Sequence, residues 1–420
     1  MTTAETKRLE PIPAYAWVVM GIPWAFVVLG ALLNFAIGVM LPSMREEIGF
    51  NAAQAGWLSG VSWILTAILT IPITFLVNKI GPKLLLAMVL IFAGIALIIN
   101  GMSQSFAVLF VTRAIALTLV VGVTPALTLL KNMWVPLTRI TTVNGVEAFM
   151  NPAGQVMSTA LVPILLVALA GWRPVFYIVG AVVLALGVAW IFLGRERKTE
   201  AYLAATKGGG GFKDLAAAMK QPSIWLLALG WPGTTLVWIA FFTFWPTYAT
   251  DVLGLSLPQA GFILSMLPIG SMVASLVSPI VCERTGIDKP FIWMWGFILP
   301  FCYYGMLLNA SPFVLGLASF LAGVGAFWFV PPGISLPFKL RGIKPQEVAM
   351  GIGIMISIIT LGGALGGIVA GNIFESTGDL YKALAICCLS PLTMGIFGLF
   401  LPERGRKAME NEAVEAAAVS

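Results

Sequence analysis

Along its whole length the chain alternates apolar runs of about 20 residues with short polar connections, and a helix of that length crosses roughly 30 Å of hydrocarbon. Twelve such runs predict helices near 14–41, 54–77, 84–103, 106–131, 142–169, 174–194, 223–249, 257–282, 290–309, 312–337, 347–374 and 380–402. One interior segment breaks the rhythm, the hydrophilic stretch 195–222 with its flexible Gly208–Gly211 run. It separates an N-terminal bundle, 14–194, from a C-terminal bundle, 223–402, and leaves a short N-terminal segment, 1–13, and an alanine-rich charged tail, 403–420. The fold class expected is an all-α membrane protein of 12 transmembrane helices in two six-helix bundles.

The two bundles repeat one another. Gln54-Ala55-Gly56 returns as Gln259-Ala260-Gly261, and Asn78-Lys79-Ile80-Gly81 as Glu283-Arg284-Thr285-Gly286, both shifted by 205 residues. Toward the ends of the bundles the shift grows to 207, where Gly171 matches Gly378 and Glu196 matches Glu403. Such duplication in one orientation is a mark of transporter folds whose site lies between the copies.

Composition agrees and excludes other classes. With 59% hydrophobic and 10% charged residues the chain lacks the polar surface of a soluble domain. The net charge of +6 is spread over short loops, which argues for membrane topology and against nucleic acid. All 24 Lys and Arg residues except Arg45, Arg113, Arg173 and Lys382 fall in segments that are cytoplasmic if both termini are cytoplasmic, so a multi-pass cell (inner) membrane protein of that orientation is expected. The first apolar run already spans, so it is expected to stay as helix one and not be cleaved as a signal peptide. Cys282, Cys302, Cys387 and Cys388 have no CxxC spacing and the chain has no histidine, so neither metal nor cofactor is expected. A membrane-embedded enzyme would need a catalytic constellation such as HExxH, which the sequence lacks.

Twelve helices, a long central loop and the connection after helix two together resemble the major facilitator superfamily. That family's loop motif is G-x-x-x-D-R/K-x-G-x-R/K; here Lys79, Gly81 and Lys83 match it, Asn78 stands for the acid and Thr74 for the first glycine. The second copy offers Glu283, Arg284 and Gly286. The resemblance implies that these six matching residues form a conformational latch. Arg113 stands where the family carries its motif-B arginine, with Leu117 in place of the usual following glycine, and Gly171-Trp172-Arg173 opens helix six with Phe176 and Gly180. The resemblance covers 14–402 and implies transport by alternating access, with helices one, four, seven and ten lining the central cavity.

An ionised group inside hydrocarbon costs several kcal/mol unless paired or hydrated, which singles out Arg113 and Glu147. Arg113 reads either as the anchor for an anionic substrate or part of a proton network, or as a structural arginine on helix-end carbonyls. Glu147 belongs to a stripe of Asn144, Glu147, Asn151, Gln155 and Ser158 at spacings of three and four, one polar face of helix five that cannot face lipid. Its readings are a gate paired with a base such as Lys131, Arg139 or Arg284, a proton carrier, or a substrate contact. On the order of 14 Å of helix rise separates Arg113 from Glu147, which predicts separate jobs. Trp231, Trp238 and Trp245 recur every seven residues on helix seven, with Phe241 and Tyr248. The predicted substrate-binding set is Arg113, Asn34, Asn151, Gln155, Trp238, Phe241, Trp245, Phe327 and Trp328, and the proton-coupling or gating set is Glu147 and Arg113. Pro331-Pro332-Gly333 predicts a bend in helix ten. Glycines of helix eleven (Gly363, Gly367, Gly371, doubled by Gly362 and Gly366) and of helix two (Gly56, Gly60) predict close helix packing.

These features point to a secondary transporter, functional as a monomer in the lipid bilayer, for a small organic anion of the monocarboxylate type, with a proton as candidate co-substrate. The alternative is a proton-coupled exporter of hydrophobic or cationic drugs, against which helix one carries no acid.

Overall fold

The computed structural model describes residues 12–136, 139–197, 199, 216–340, 345–405 and 407–408. The expectations for segment 1–11, for most of the linker (198 and 200–215) and for the tail beyond 408 lie outside these described residues. Among the described residues the secondary structure is entirely helical. Among the described residues eleven segments are long and apolar enough to cross a membrane, and the 17-residue helix Lys289–Gly305, span nine, completes the twelve expected spans.

The spans bend where the chain interrupts its own hydrogen bonding. Span one runs Ala14–Phe35 and, after a break at Ala36, Ile37–Ile48, longer than the hydrophobic pattern suggests. Span four is Phe106–Val120 followed by Val123–Trp134, and span five comes in three pieces, Ile140–Ala148, Met150–Ala160 and Val162–Ala168. Span ten stops at Phe329 and resumes as Val330–Ser335, the bend expected where Pro331 and Pro332 have no N–H to donate.

The internal repeat is realised as matching local chemistry. Span two (Ala52–Ile80) and span eight (Leu257–Thr285) both open on capping boxes, Asn51 with Gln54 and Ser256 with Gln259. At the other end of each half an acid reaches back to the start of a neighbouring helix. Glu196 accepts the Lys83 amide at 2.8 Å, and Glu403 accepts the Asp288 and Lys289 amides at 2.9 and 3.1 Å. Each carboxylate thereby satisfies orphan donors at a helix N-terminus, where negative charge is favoured.

The halves interlock at one end, the end marked by Asn51. Spans two and eleven (Pro345–Thr377) meet through their glycine faces, where a methyl on Gly56 would stand 2.9 Å from the Gly367 carbonyl carbon. Gly362 and Gly366 turn the opposite way, against Pro232 and Leu236 of span seven. By the same symmetry Gly261 of span eight lies against Thr159 and Pro163 of span five. Glu375 closes the joint by accepting the Ala52 amide at 2.9 Å, so an acid of the second half sits on the N-terminus of a helix in the first.

Candidate functional site

Between the halves lies a chamber of about 410 Å³. Its wall comes mainly from the first half: Val27, Ala31 and Asn34 of span one, Ser62, Trp63, Thr66 and Thr70 of span two, Thr124 of span four and Asn151 of span five, with Ile356 of span eleven opposite. The wall offers hydroxyls and amides among apolar side chains such as Leu117, Val120 and Val123, and no ionised side chain among the described residues lines it. Toward the interlocked end an aromatic plug closes the space, Phe35 packing edge-on against Trp63 and against Phe242 with ring centres 6.3 and 4.7 Å apart. From Ser62 to Thr70 the wall climbs about 12 Å away from that plug.

Arg113 stands behind this wall. It is 3% exposed, and its guanidinium donates to the carbonyls of Leu58 (3.0 Å), Leu33 (3.4 Å) and Asn34 (3.0 Å), and to Asn34 Oδ1 (3.2 Å). The acceptors come from span two and from span one just before its break at Ala36, so the arginine pins the two helices together. Among the described residues it has no carboxylate partner. Carbonyl dipoles solvate the charge without cancelling it, and a buried cation so held leaves a positive field. Asn34 is the link to the chamber, since its side chain both accepts from Arg113 and lines the wall. In this conformation the guanidinium is held by main-chain carbonyls of spans one and two and by Asn34.

The polar face of span five divides in two. Near its start, Glu147 meets Lys131 at 3.1 Å and accepts the Trp24 indole N–H at 3.3 Å, while Lys131 also donates to Asn144 at 2.8 Å. Farther along, the Gln155 side chain donates to Asn151 Oδ1 at 2.7 Å, and its amide oxygen Oε1 is buried without a hydrogen-bond partner among the described residues. Arg113 and Glu147 are held by separate partners, as their separation in sequence predicts.

The aromatic predictions divide as well. Trp238 packs against Phe327 with rings 5.2 Å apart and against Phe242 at 5.4 Å, immediately behind the plug. Phe241, Trp245 and Trp328 are not among the residues that line this chamber and pack against other spans in this conformation. Phe241 stacks on Tyr303, Trp245 donates to the Met306 carbonyl at 2.9 Å, and Trp328 lies between Phe291 and Trp295. The reason is rotational: neighbouring positions on a helix point about 100° apart, so Phe242 meets Phe35 in the plug and Phe241 meets Tyr303 of Lys289–Gly305. Sequence reasoning missed Phe35, Trp63 and Phe242. It also missed Ser59, Ser62, Thr66 and Thr70, although their three- and four-residue spacing on span two marks a polar face.

Of the predicted latch, Gly81 (φ 86°) and Gly286 (φ 71°) turn the chain in the left-handed region, and Lys83 gives its amide to Glu196. Lys79, Glu283 and Arg284 stand exposed at the end opposite Asn51.

Duplicated halves, a chamber between them and an interlock at one end are now joined by a match of residues 24–342 to the family model of the Major Facilitator Superfamily. The chain belongs to the major facilitator superfamily. As a superfamily transporter it is not an enzyme. It is 25% identical over 395 residues to a putative tartrate transporter of Agrobacterium vitis, covering 89% of this chain and 87% of that one. It is 24% identical over 377 residues to a probable sulfoacetate transporter of Cupriavidus necator, covering 82% and 84%. Among solved structures it superposes with a TM-score of 0.75 on a bacterial homologue of the human lysosomal transporter Spinster, in an inward-facing and unoccupied conformation. That likeness, at 17% identity over 93% of this chain and 95% of the other, concerns the fold.

Proposed function

We propose that this superfamily transporter carries a small organic anion, carboxylates foremost, by alternating access, with a proton as co-substrate and the monomer as the working unit. The observation that carries the reading is Arg113, a buried cation that has no carboxylate partner among the described residues and whose side chain meets, through Asn34, a chamber lined by no ionised described residue. An anion entering that chamber gains the attraction that the protein leaves unused, whereas a cation meets repulsion. The named substrates of the two relatives, tartrate and sulfoacetate, are small organic anions of this kind. Glu147 supplies a titratable group for the proton, or a gate. With both termini cytoplasmic, the interlocked Asn51 end is periplasmic and the chamber faces the cytoplasm.

A thermal-shift screen of purified protein against carboxylates tests the reading, since a ligand at a hundred times its dissociation constant adds about 2.7 kcal/mol of stability. Carboxylates should raise the melting temperature of the wild type. Asn34→Ala, which removes the wall contact but leaves Arg113 in place, should weaken that response. Stabilisation by hydrophobic cations and none by carboxylates would favour the drug-export alternative instead.

A further inference from the structure

We infer that Lys131 and the indole N–H of Trp24 form a carboxylate-binding station at the mouth of the chamber, which Glu147 occupies as the chain's own carboxylate when substrate is absent. This rests on the organic-anion reading and names a further site within it.

The donor set is built for a carboxylate. Lys131 Nζ lies 3.1 Å from Glu147 Oε2 and 3.2 Å from Oε1, and Trp24 Nε1 also donates to Oε2 at 3.3 Å. The ammonium comes from span four and the indole from span one, so both donors stand on helices other than span five, which carries Glu147. Asn144 fixes the lysine with a further bond at 2.8 Å. An ammonium with an added neutral N–H is a charge-assisted pair that a free carboxylate can adopt without rearranging the donors.

Position places the station on the substrate's path. Trp24 precedes the wall residue Val27 by three positions, Glu147 precedes Asn151 by four, and Lys131 follows Thr124 by seven, spacings that put each on the chamber-facing side of its helix. The station lies on the side away from the aromatic plug. The station is more open than the arginine, for the Lys131 and Glu147 side chains keep 12% and 22% exposure, whereas Arg113 keeps 3%. Trp24 and Asn34 are ten residues apart, about 15 Å along the helix, farther than a four-carbon dicarboxylate reaches. A substrate therefore meets the station first and the Asn34–Arg113 level afterwards.

Occupation by substrate displaces an ion. When an incoming carboxylate takes Lys131 and Trp24, Glu147 loses its cation. Among the described residues the charged group in contact with Glu147 is Lys131 of span four; the indole of Trp24 from span one and the amide of Asn144, on its own helix, are neutral. A proton from the aqueous phase that bonds to a Glu147 carboxyl oxygen restores the charge balance. One proton is thus taken up for each carboxylate bound.

The test compares Lys131→Gln, Lys131→Arg, Trp24→Phe and Glu147→Gln with wild type. Tartrate and sulfoacetate are the probes, calorimetric binding at two pH values is one readout, and proteoliposome uptake with and without a pH gradient is the other. Lys131→Gln should weaken binding at least tenfold and Trp24→Phe severalfold, while Lys131→Arg retains it. Glu147→Gln should bind as tightly as wild type or more tightly, lose the pH dependence, and keep exchange while losing acceleration by the gradient. A merely structural ion pair would make Lys131→Gln and Glu147→Gln shift binding in the same direction, and that result overturns the station. So does an unchanged affinity in Lys131→Gln beside a wild type that binds either probe, which leaves the organic-anion reading standing. A folded wild type that binds neither probe, nor any carboxylate of the thermal-shift screen, overturns both.

Discussion

The interlock between spans two and eleven gives the sharpest mechanical prediction, and Gly56→Ala is the perturbation. A methyl there would lie 2.9 Å from the Gly367 carbonyl carbon and 3.2 Å from the Ile368 Cα, with the carbonyl oxygen closer still. Ordinary carbon contacts begin near 3.5 Å, so the helices must separate by more than about 0.5 Å, and every atom met is backbone that no rotamer change can move. Overpacking of this kind costs about 1–3 kcal/mol. If the halves alternate, the cost falls only on the conformation in which this end is closed. The equilibrium should then move toward the opposite conformation by about 5- to 150-fold, the factor that corresponds to 1–3 kcal/mol. The assay is modification by a membrane-impermeant maleimide of single cysteines placed at Ala52, inside the interlock, and at Asn151, on the chamber wall, with the four native cysteines replaced. Gly56→Ala should speed labelling at position 52 and slow it at 151. Gly353→Ala, where the added methyl meets nothing within 4 Å, controls for the gain in helix propensity and should change neither. Unaltered labelling at both sites in a folded Gly56→Ala protein would refute the reasoning.

Three further outcomes follow from single contacts. Glu375→Ala removes the acceptor of the Ala52 amide and should weaken the same interlock by about 1 kcal/mol, visible as faster labelling at position 52 with little loss of global stability. Glu403→Ala uncaps two amides at the start of span nine and should lower stability by about 1–2 kcal/mol, whereas Glu403→Gln, which keeps one acceptor oxygen, should recover part of it in a detergent unfolding assay. Hydrogen bonding from Arg173, with a second bond from Trp172, holds the Glu47 carboxyl below its ordinary value of 4.5. A depressed carboxylate contributes stability above that ordinary value and loses it as pH falls through the lowered one. Wild type should therefore lose melting temperature from about pH 4.5 downward by a small increment that Glu47→Gln does not show, small because the side chain is about half exposed.

Much of the fold was legible because bilayer physics writes it into the sequence: spans must be long and apolar, and loop charges must choose a side. The repeat was legible for a similar reason. Capping residues such as Gln54 and Gln259 perform the same local task in each half, as do Glu196 and Glu403. Legibility failed where the answer depended on rotation about a helix axis. The heptad of tryptophans on span seven marked an aromatic face, but 100° separates Phe241 from Phe242, and no periodicity tells which neighbour each will meet. Arg113 was found by its cost in hydrocarbon, yet its acceptors are main-chain carbonyls, which every residue carries and no sequence pattern reveals. The pairing of Lys131 with Glu147 stood between these cases: the polar stripe announced a partner, and only the packing of spans one, four and five selected it and added Trp24.

Uptake of radiolabelled tartrate into proteoliposomes that contain the purified protein, with the interior made alkaline, tests anion transport by this molecule most directly. Proton-coupled carriage of organic anions predicts accumulation above that of protein-free vesicles, competition by unlabelled sulfoacetate, and collapse when the pH gradient is dissipated. Vesicles that accumulate neither tartrate nor any competing small carboxylate, with or without the gradient, while the same preparation moves a hydrophobic cation, would contradict it.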